Sequence, residues 1–197
     1  NAPYYLISKS AGNDRSDNGP GDSGDSWYYY DNGDWQEQSG PPPGPDGPYD
    51  CLTDKSNAKN ILTVGAVHDI PSGYSSPGDV NMSGFSGWGP ADDGRVKPDI
   101  VANGTGLYSS IADGDAAYNS LSGTSMSSPN AAGSLILLQQ HYMDTQDGDI
   151  MKAATLKGLA LHTTDEAGDY PGPDYRFGWG LLNIEKAAEV ISENNTT

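Results

Sequence analysis

Gly123-Thr124-Ser125-Met126-Ser127-Ser128-Pro129 is the stretch on which the reading of this chain turns. A glycine turn delivers a serine to the start of an apolar segment that continues through Leu135-Ile136-Leu137-Leu138-Gln139-Gln140, so a helix is expected to begin near Ser125. A hydroxyl there is exposed beside free backbone N–H groups and the partial positive charge of a helix N-terminus. An oxyanion forming at that point meets donors already aimed at it. Read alone, the same serine is an ordinary helix cap. The first turns contain Ser127, Ser128, Ala131, Ala132 and Gly133, small side chains that suit a helix packed tightly inside the protein.

Working outward, the upstream sequence alternates apolar runs with turns. Residues 60–67 form a continuous apolar run of the kind found in a strand buried on both faces. Residues 99–102 read as another strand, residues 107–111 as an edge, and residues 4–9 as a short strand leading into Ser10-Ala11-Gly12-Asn13. Downstream, residues 149–161 read as a second helix, and Asn183 is placed to cap a third that runs through Val190. Strands alternating with helices indicate α/β architecture. No internal repeat is present. Residues 14–50 differ from the rest, being rich in Gly, Pro, Asp and Ser, and read as one long loop with at most a short strand near Trp27-Tyr28-Tyr29-Tyr30. Those aromatic residues are expected to pack the loop onto the domain, the alternative being a substrate rim.

The motif around Ser125 resembles the nucleophile signature of the subtilisin-like (S8) serine peptidases. Four further segments resemble the same family in the same order: Ser10-Ala11-Gly12-Asn13; Ile61-Leu62-Thr63-Val64-Gly65-Ala66-Val67; Phe85-Ser86-Gly87-Trp88-Gly89-Pro90 with Gly94-Arg95-Val96-Lys97-Pro98-Asp99-Ile100-Val101-Ala102; and Gly178-Trp179-Gly180-Leu181-Leu182-Asn183. The resemblance implies a three-layer α/β fold with a mainly parallel sheet, of which residues 1–197 are the C-terminal part, with a long insertion loop at 14–50. It implies a serine endopeptidase acting on protein or peptide through an acyl-enzyme on Ser125. It implies that Asn13 donates its side-chain amide to the oxyanion together with the Ser125 N–H. It implies no cofactor in the chemistry and a secreted setting. Two positions depart from the pattern: Asn130 stands where many members carry histidine, and Asn103 replaces a common proline.

Serine attack needs a base held by a third group. In this family the chain order is Asp, His, Ser, with both partners ahead of the oxyanion asparagine. Only twelve residues precede Asn13, and none is histidine. The chain's own histidines are expected to be structural. His141 lies sixteen positions beyond Ser125 on one helix, roughly 24 Å away at the helical rise. His68 follows a strand and reads as a solvent-facing loop residue, and His162 reads as a helix-end residue. The chain therefore looks like the C-terminal part of a catalytic domain. A companion N-terminal fragment is expected to bring the Asp and His, from a nicked precursor or from the parent of a truncated chain. A non-catalytic scaffold or binding domain is the alternative.

Composition narrows the partners. A net charge of −17, from 27 acidic against 10 Lys and Arg residues, speaks against nucleic acid, which requires a basic stripe, and against an anionic membrane surface. No apolar run approaches the ~20 residues that cross a bilayer, and the first residues lack the basic region and cleavage site of a signal peptide. Asp14, Asp17, Asp22 and Asp25 cluster among glycines, where structural calcium is one reading and a solvated acidic loop the other. Asp14 either favours basic residues at the substrate's P1 position or is an exposed acid without influence. Cys51, the only cysteine, is expected to behave as a small buried hydrophobe.

Overall fold

The computed structural model describes residues 2–15, 26–39, 49 and 51–194. Among them the elements in chain order are β1 (Ser8–Ser10), β2 (Ser26–Asp31), β3 (Asp34–Ser39), β4 (Leu62–Val67), β5 (Ile100–Asn103), β6 (Leu107–Ser110), β7 (Tyr118–Leu121), α1 (Thr124–Thr145), α2 (Ala153–His162) and α3 (Ile184–Glu193).

The central sheet is parallel in the order β1-β4-β5, with Ser8 opposite Leu62 and Val64 opposite Ile100. Every residue of β4 is buried, as its unbroken apolar run requires of a strand covered on both faces. On one face Leu62, Val64, Ile100 and Ala102 pack against Ala131, Leu135 and Leu138 of α1, with Ala160 of α2 and Ala187 and Ile191 of α3. On the other face Val67 and Val101 meet Val80, Ala167 and Phe177, which come from loops. Fully buried side chains such as Leu62, Ile100 and Leu138 each contribute roughly 1.5–3 kcal/mol relative to exposure. The α/β class and mainly parallel sheet read from the sequence are those of the folded chain.

The differences have local reasons. The strand expected at 4–9 is confined to Ser8–Ser10, and Tyr4 and Tyr5 stand in a solvent-exposed turn. The edge expected at 107–111 does not join the main sheet. It pairs antiparallel with β7, whose polar Tyr-Asn-Ser sequence gave no strand signal, and Tyr108 stacks on Tyr118 at 5.6 Å. The short strand near Trp27-Tyr28-Tyr29-Tyr30 is present as β2 and forms a hairpin with β3, while its side chains lie outside the described residues. The second helix begins at Ala153, after an extended Lys152, four residues later than expected. Asn183 caps α3 as expected, its side chain accepting from the Lys186 N–H at 3.0 Å. Helix α1 is less enclosed than its small residues suggest: Leu135 and Leu138 are buried, but Ile136 and Leu137 are 69% and 63% exposed.

At the amino-terminal end of β5 a buried ion cluster ties the layers together. Asp99 accepts from Lys97 at 2.6 Å, from Lys157 of α2 at 2.8 Å and from the Thr63 N–H of β4 at 2.6 Å. Burial pushes the Lys97 ammonium below the usual lysine range, opposed by its hydrogen bond and charge pairing with Asp99.

Candidate functional site

Two loops leave the carboxyl ends of the parallel strands and meet at the start of α1, the end of an open α/β sheet where ligands bind. The first carries β1 through Ala11 and Gly12 to Asn13. Its path is fixed by backbone bonds from the Ala11 N–H to the Val64 carbonyl and from the Gly87 N–H to the Gly12 carbonyl. The second leaves β5 through Gly104 and returns through β6 and β7 to Gly123. The Gly123 N–H donates to the Gly104 carbonyl at 2.8 Å. A Cβ on Gly104 would come within 2.5 Å of the Ala66 Cβ and 3.1 Å of the Ser127 Cβ. Only glycine lets the strand end approach the helix so closely.

Thr124 joins the two loops. It is 99% buried in complement to its 1% exposure, and its Oγ1 receives the Gly12 N–H at 3.2 Å while donating to Asn13 Oδ1 at 2.8 Å. The Thr124 N–H also donates to Asn13 Oδ1, at 2.9 Å. A backbone N–H only donates, so the oxygen of the Asn13 amide must face Thr124 and the Nδ2 group must turn away from it. Nδ2 stands 3.3 Å from the point where a Gly123 Cβ would lie, so a side chain there would press on the amide. Sequence reading missed Thr124, because its partners lie 111 and 112 positions upstream and only folding brings them together.

Ser125 is the second residue of α1 and is exposed, as is Asn13. Among the described residues nothing accepts from the Ser125 N–H and nothing hydrogen-bonds its hydroxyl. The following Pro129 has no N–H to give the Ser125 carbonyl. The Ser8 hydroxyl of β1 donates to the Ser128 carbonyl at 2.9 Å, holding the helix start against the strand that delivers Asn13. The fold thus brings together the serine and the asparagine that the sequence singled out, beside an open N–H and a helix N-terminus.

Two of the three histidines contact residues other than Ser125. His68 is exposed and its Nδ1 lies 3.2 Å from the Thr105 hydroxyl. The Nε2 of His141 pairs with the Ser192 hydroxyl of α3 at 3.0 Å, and His162 is the exposed last residue of α2. None of the three hydrogen-bonds Ser125. Asn103 uses its Oδ1 to accept from the Thr105 N–H at 3.1 Å, and Asn130 is exposed. Cys51 is half-buried rather than a core hydrophobe: its sulfur accepts from the Trp88 N–H at 3.2 Å. Of the candidate calcium carboxylates, Asp14 is exposed, while Asp17, Asp22 and Asp25 lie outside the described residues. No cluster of three metal-ligating side chains occurs among the described residues. Nor is any helix among them long and apolar enough to cross a membrane.

Comparison with known proteins gives a consistent picture. The profile of the subtilase family, peptidase S8, matches residues 4–180. The chain is similar to the C5a peptidase of Streptococcus pyogenes serotype M3, 35% identical over 161 residues, which cover 75% of this chain and 13% of that protein. It is similar to pyrolysin of Pyrococcus furiosus, 34% identical over 124 residues, covering 60% of this chain and 9% of pyrolysin. The chain therefore spans only a small part of the length of these relatives. Among solved structures, the CspB protease of Clostridium perfringens superposes with a TM-score of 0.61 at 21% identity, covering 74% of this chain and 30% of that one. The patellamide maturation protease PatA superposes with a TM-score of 0.57 at 25% identity, covering 74% and 48%.

Proposed function

Because this chain belongs to the subtilase family of serine peptidases, we propose that Ser125 is the nucleophile of a serine endopeptidase. Its Oγ attacks a scissile peptide carbonyl, an acyl-enzyme forms as the amine departs, and water releases the acid. The tetrahedral oxyanion receives the Asn13 Nδ2 and the Ser125 N–H. The observation that carries this reading is the clamp on Asn13: Thr124 takes both available approaches to Oδ1, at 2.8 and 2.9 Å. The donor end of the amide is thereby committed to the space beside Ser125, at no reorganisation cost when charge develops.

The base and its orienting carboxylate come from a companion polypeptide carrying a histidine and an aspartate. Two features support this. First, among the described residues β1 is the outer strand of its sheet, and such an edge pairs readily with another strand. Second, beside it lies an apolar groove of about 250 Å³ between Tyr4, Tyr5, Leu6, Leu135, Ile136 and Leu156, with Tyr5 70% exposed. A surface of this kind supports a covering chain. The protein works outside the cell on protein or peptide substrates, without a cofactor in the chemistry; a structural calcium on the 14–25 loop is compatible with this and separate from it.

Mass spectrometry after treatment with a fluorophosphonate tests both halves. An adduct on Ser125 with a second polypeptide in the sample is the expected result. A sample that contains both polypeptides and takes no adduct on Ser125 would leave the non-catalytic scaffold as the reading.

A further inference from the structure

Away from Ser125, the loops at 77–82 and 168–177 line a half-open cavity of about 350 Å³ bordered by Arg15, Trp88 and Arg176. The guanidinium carbons of Arg15 and Arg176 stand 4.4 and 4.6 Å from the centroid of the Trp88 ring. Two cations are thus held against one indole, within about 9 Å of each other (the sum of those two distances), where like charges repel. Among the described residues neither guanidinium forms an ion pair, although acidic residues outnumber basic ones 27 to 10. The four ion pairs among the described residues take up Arg95, Lys97, Lys157 and Lys186. Asp169 also borders the cavity without pairing with either arginine.

Further donors there are unused. Trp88 is 8% exposed, and its Nε1 is buried without an acceptor, as is the Nε of Arg176. Such groups are costly to bury unpaired, and their presence in two side chains that border the cavity calls for an explanation. Burial lowers the Arg15 guanidinium below its ordinary range; the Cys51 thiol opposes this and the charge of Arg176 adds to it. The place is therefore one that a negative group would relieve. It is also tied to the proposed catalytic loop. Arg15 lies two residues past Asn13, a span of at most about 7 Å between Cα atoms, and its N–H donates to the Phe85 carbonyl at 3.4 Å.

We propose that the Arg15–Trp88–Arg176 cavity is a subsite that receives the carboxylate of an aspartate or glutamate side chain in a bound polypeptide. This rests on the reading of the neighbouring Asn13–Ser125 site as one that binds peptides. Guanidinium groups bind a carboxylate through paired N–H donors in a fixed planar fork, and the indole holds both forks in position. One carboxylate lying between them would turn a repulsive pair into two attractive contacts.

The test uses the full chain with N-acetylated, alanine-based hexapeptide amides carrying one Glu or one Gln at each position in turn, with affinities measured by calorimetry. At one position the Glu peptide is expected to bind about tenfold more tightly than its Gln counterpart, as a charge-assisted contact gives. That preference should fall below about twofold in Arg176→Gln and in Arg15→Gln, while the Gln peptide keeps its affinity in both. The two variants remove separate residues, so loss of folding in one leaves the other decisive. Equal binding of Glu and Gln peptides at every position, no peptide binding at all, or a preference that survives both substitutions would overturn the proposal. Succinate identifies the source of the carboxylate. If succinate binds in an arginine-dependent manner while Glu gives no advantage over Gln, the cavity takes free carboxylates and the polypeptide assignment falls. Fluorophosphonate labelling, carried out with the companion polypeptide present, reports on Ser125 independently. A Glu preference without labelling keeps the subsite and removes the peptidase reading.

Discussion

Asp99 and Asn13 stand at opposite ends of the parallel sheet and are treated in opposite ways. Asp99, just before β5, is 7% exposed and both of its oxygens are engaged, by two lysines and a backbone N–H. Asn13, beyond the carboxyl end of β1, is exposed, and its oxygen is held by Thr124, while among the described residues its Nδ2 and the neighbouring Ser125 N–H have no acceptor. Polar groups that build the fold are saturated by the chain itself, because an unpaired buried charge is among the costliest defects a protein can carry. Polar groups that act on a ligand are oriented on one side and left unsatisfied on the other. Arg15 and Arg176 combine features of both, being packed against an indole yet lacking a counter-charge, which is why their cavity reads as a site.

The contrast can be broken or sharpened by substitution. The largest effect is expected at Ser125→Ala, where fluorophosphonate labelling should vanish while stability stays within about 0.5 kcal/mol of the parent, as for an exposed residue. Chemical denaturation beside the labelling assay checks it, and residual adduct formation would place the nucleophile elsewhere. Asp99→Ala should do the reverse. It leaves Lys97, 2% exposed, without its carboxylate, and the midpoint of urea unfolding should report a loss of about 3–5 kcal/mol. A loss below 1 kcal/mol would show that the cluster relaxes into solvent.

Asn13→Ala leaves the buried Thr124 N–H and hydroxyl without their acceptor, at a cost of about 1–3 kcal/mol. It is expected to slow labelling and turnover, measured with the companion chain present, by about 10²–10³. That magnitude is taken over from the oxyanion donor of a subtilisin. Loss of stability in place of rate would make Asn13 a structural residue like Asp99. The smallest effect belongs to Asn183→Ala. It removes the acceptor for the Lys186 N–H and the donor to Asp165, and should cost about 1 kcal/mol in thermal or urea unfolding.

Much of the fold was legible in local pattern. The apolar run of β4, the cap at Asn183 and the glycine-serine entry to α1 each carry their signal within a few residues. What escaped were features whose partners are distant or whose residues are ambiguous. Strand β7 is polar, and only its pairing with β6 makes it a strand. Tyr4 and Tyr5 have strand propensity but no partner strand, so they stand in a turn. Of the site, Ser125 and Asn13 were readable from their motifs. Thr124 was not, because a buried threonine beside Ser125 looks like any other until its hydroxyl is found against a loop more than a hundred residues upstream.

By itself the sequence determined which residues could do chemistry: a serine behind a glycine at a helix start and an asparagine after Gly12. It also set the α/β class, since the periodicity of apolar residues is a local property of the chain. Only the tertiary structure decided how those residues are aimed. The direction of the Asn13 amide depends on a bond to Thr124, and the pairing of two arginines on Trp88 depends on three loops converging. The physical reason is that residue type fixes what a group can donate or accept, whereas direction and charge environment are set by neighbours that the chain brings together only on folding.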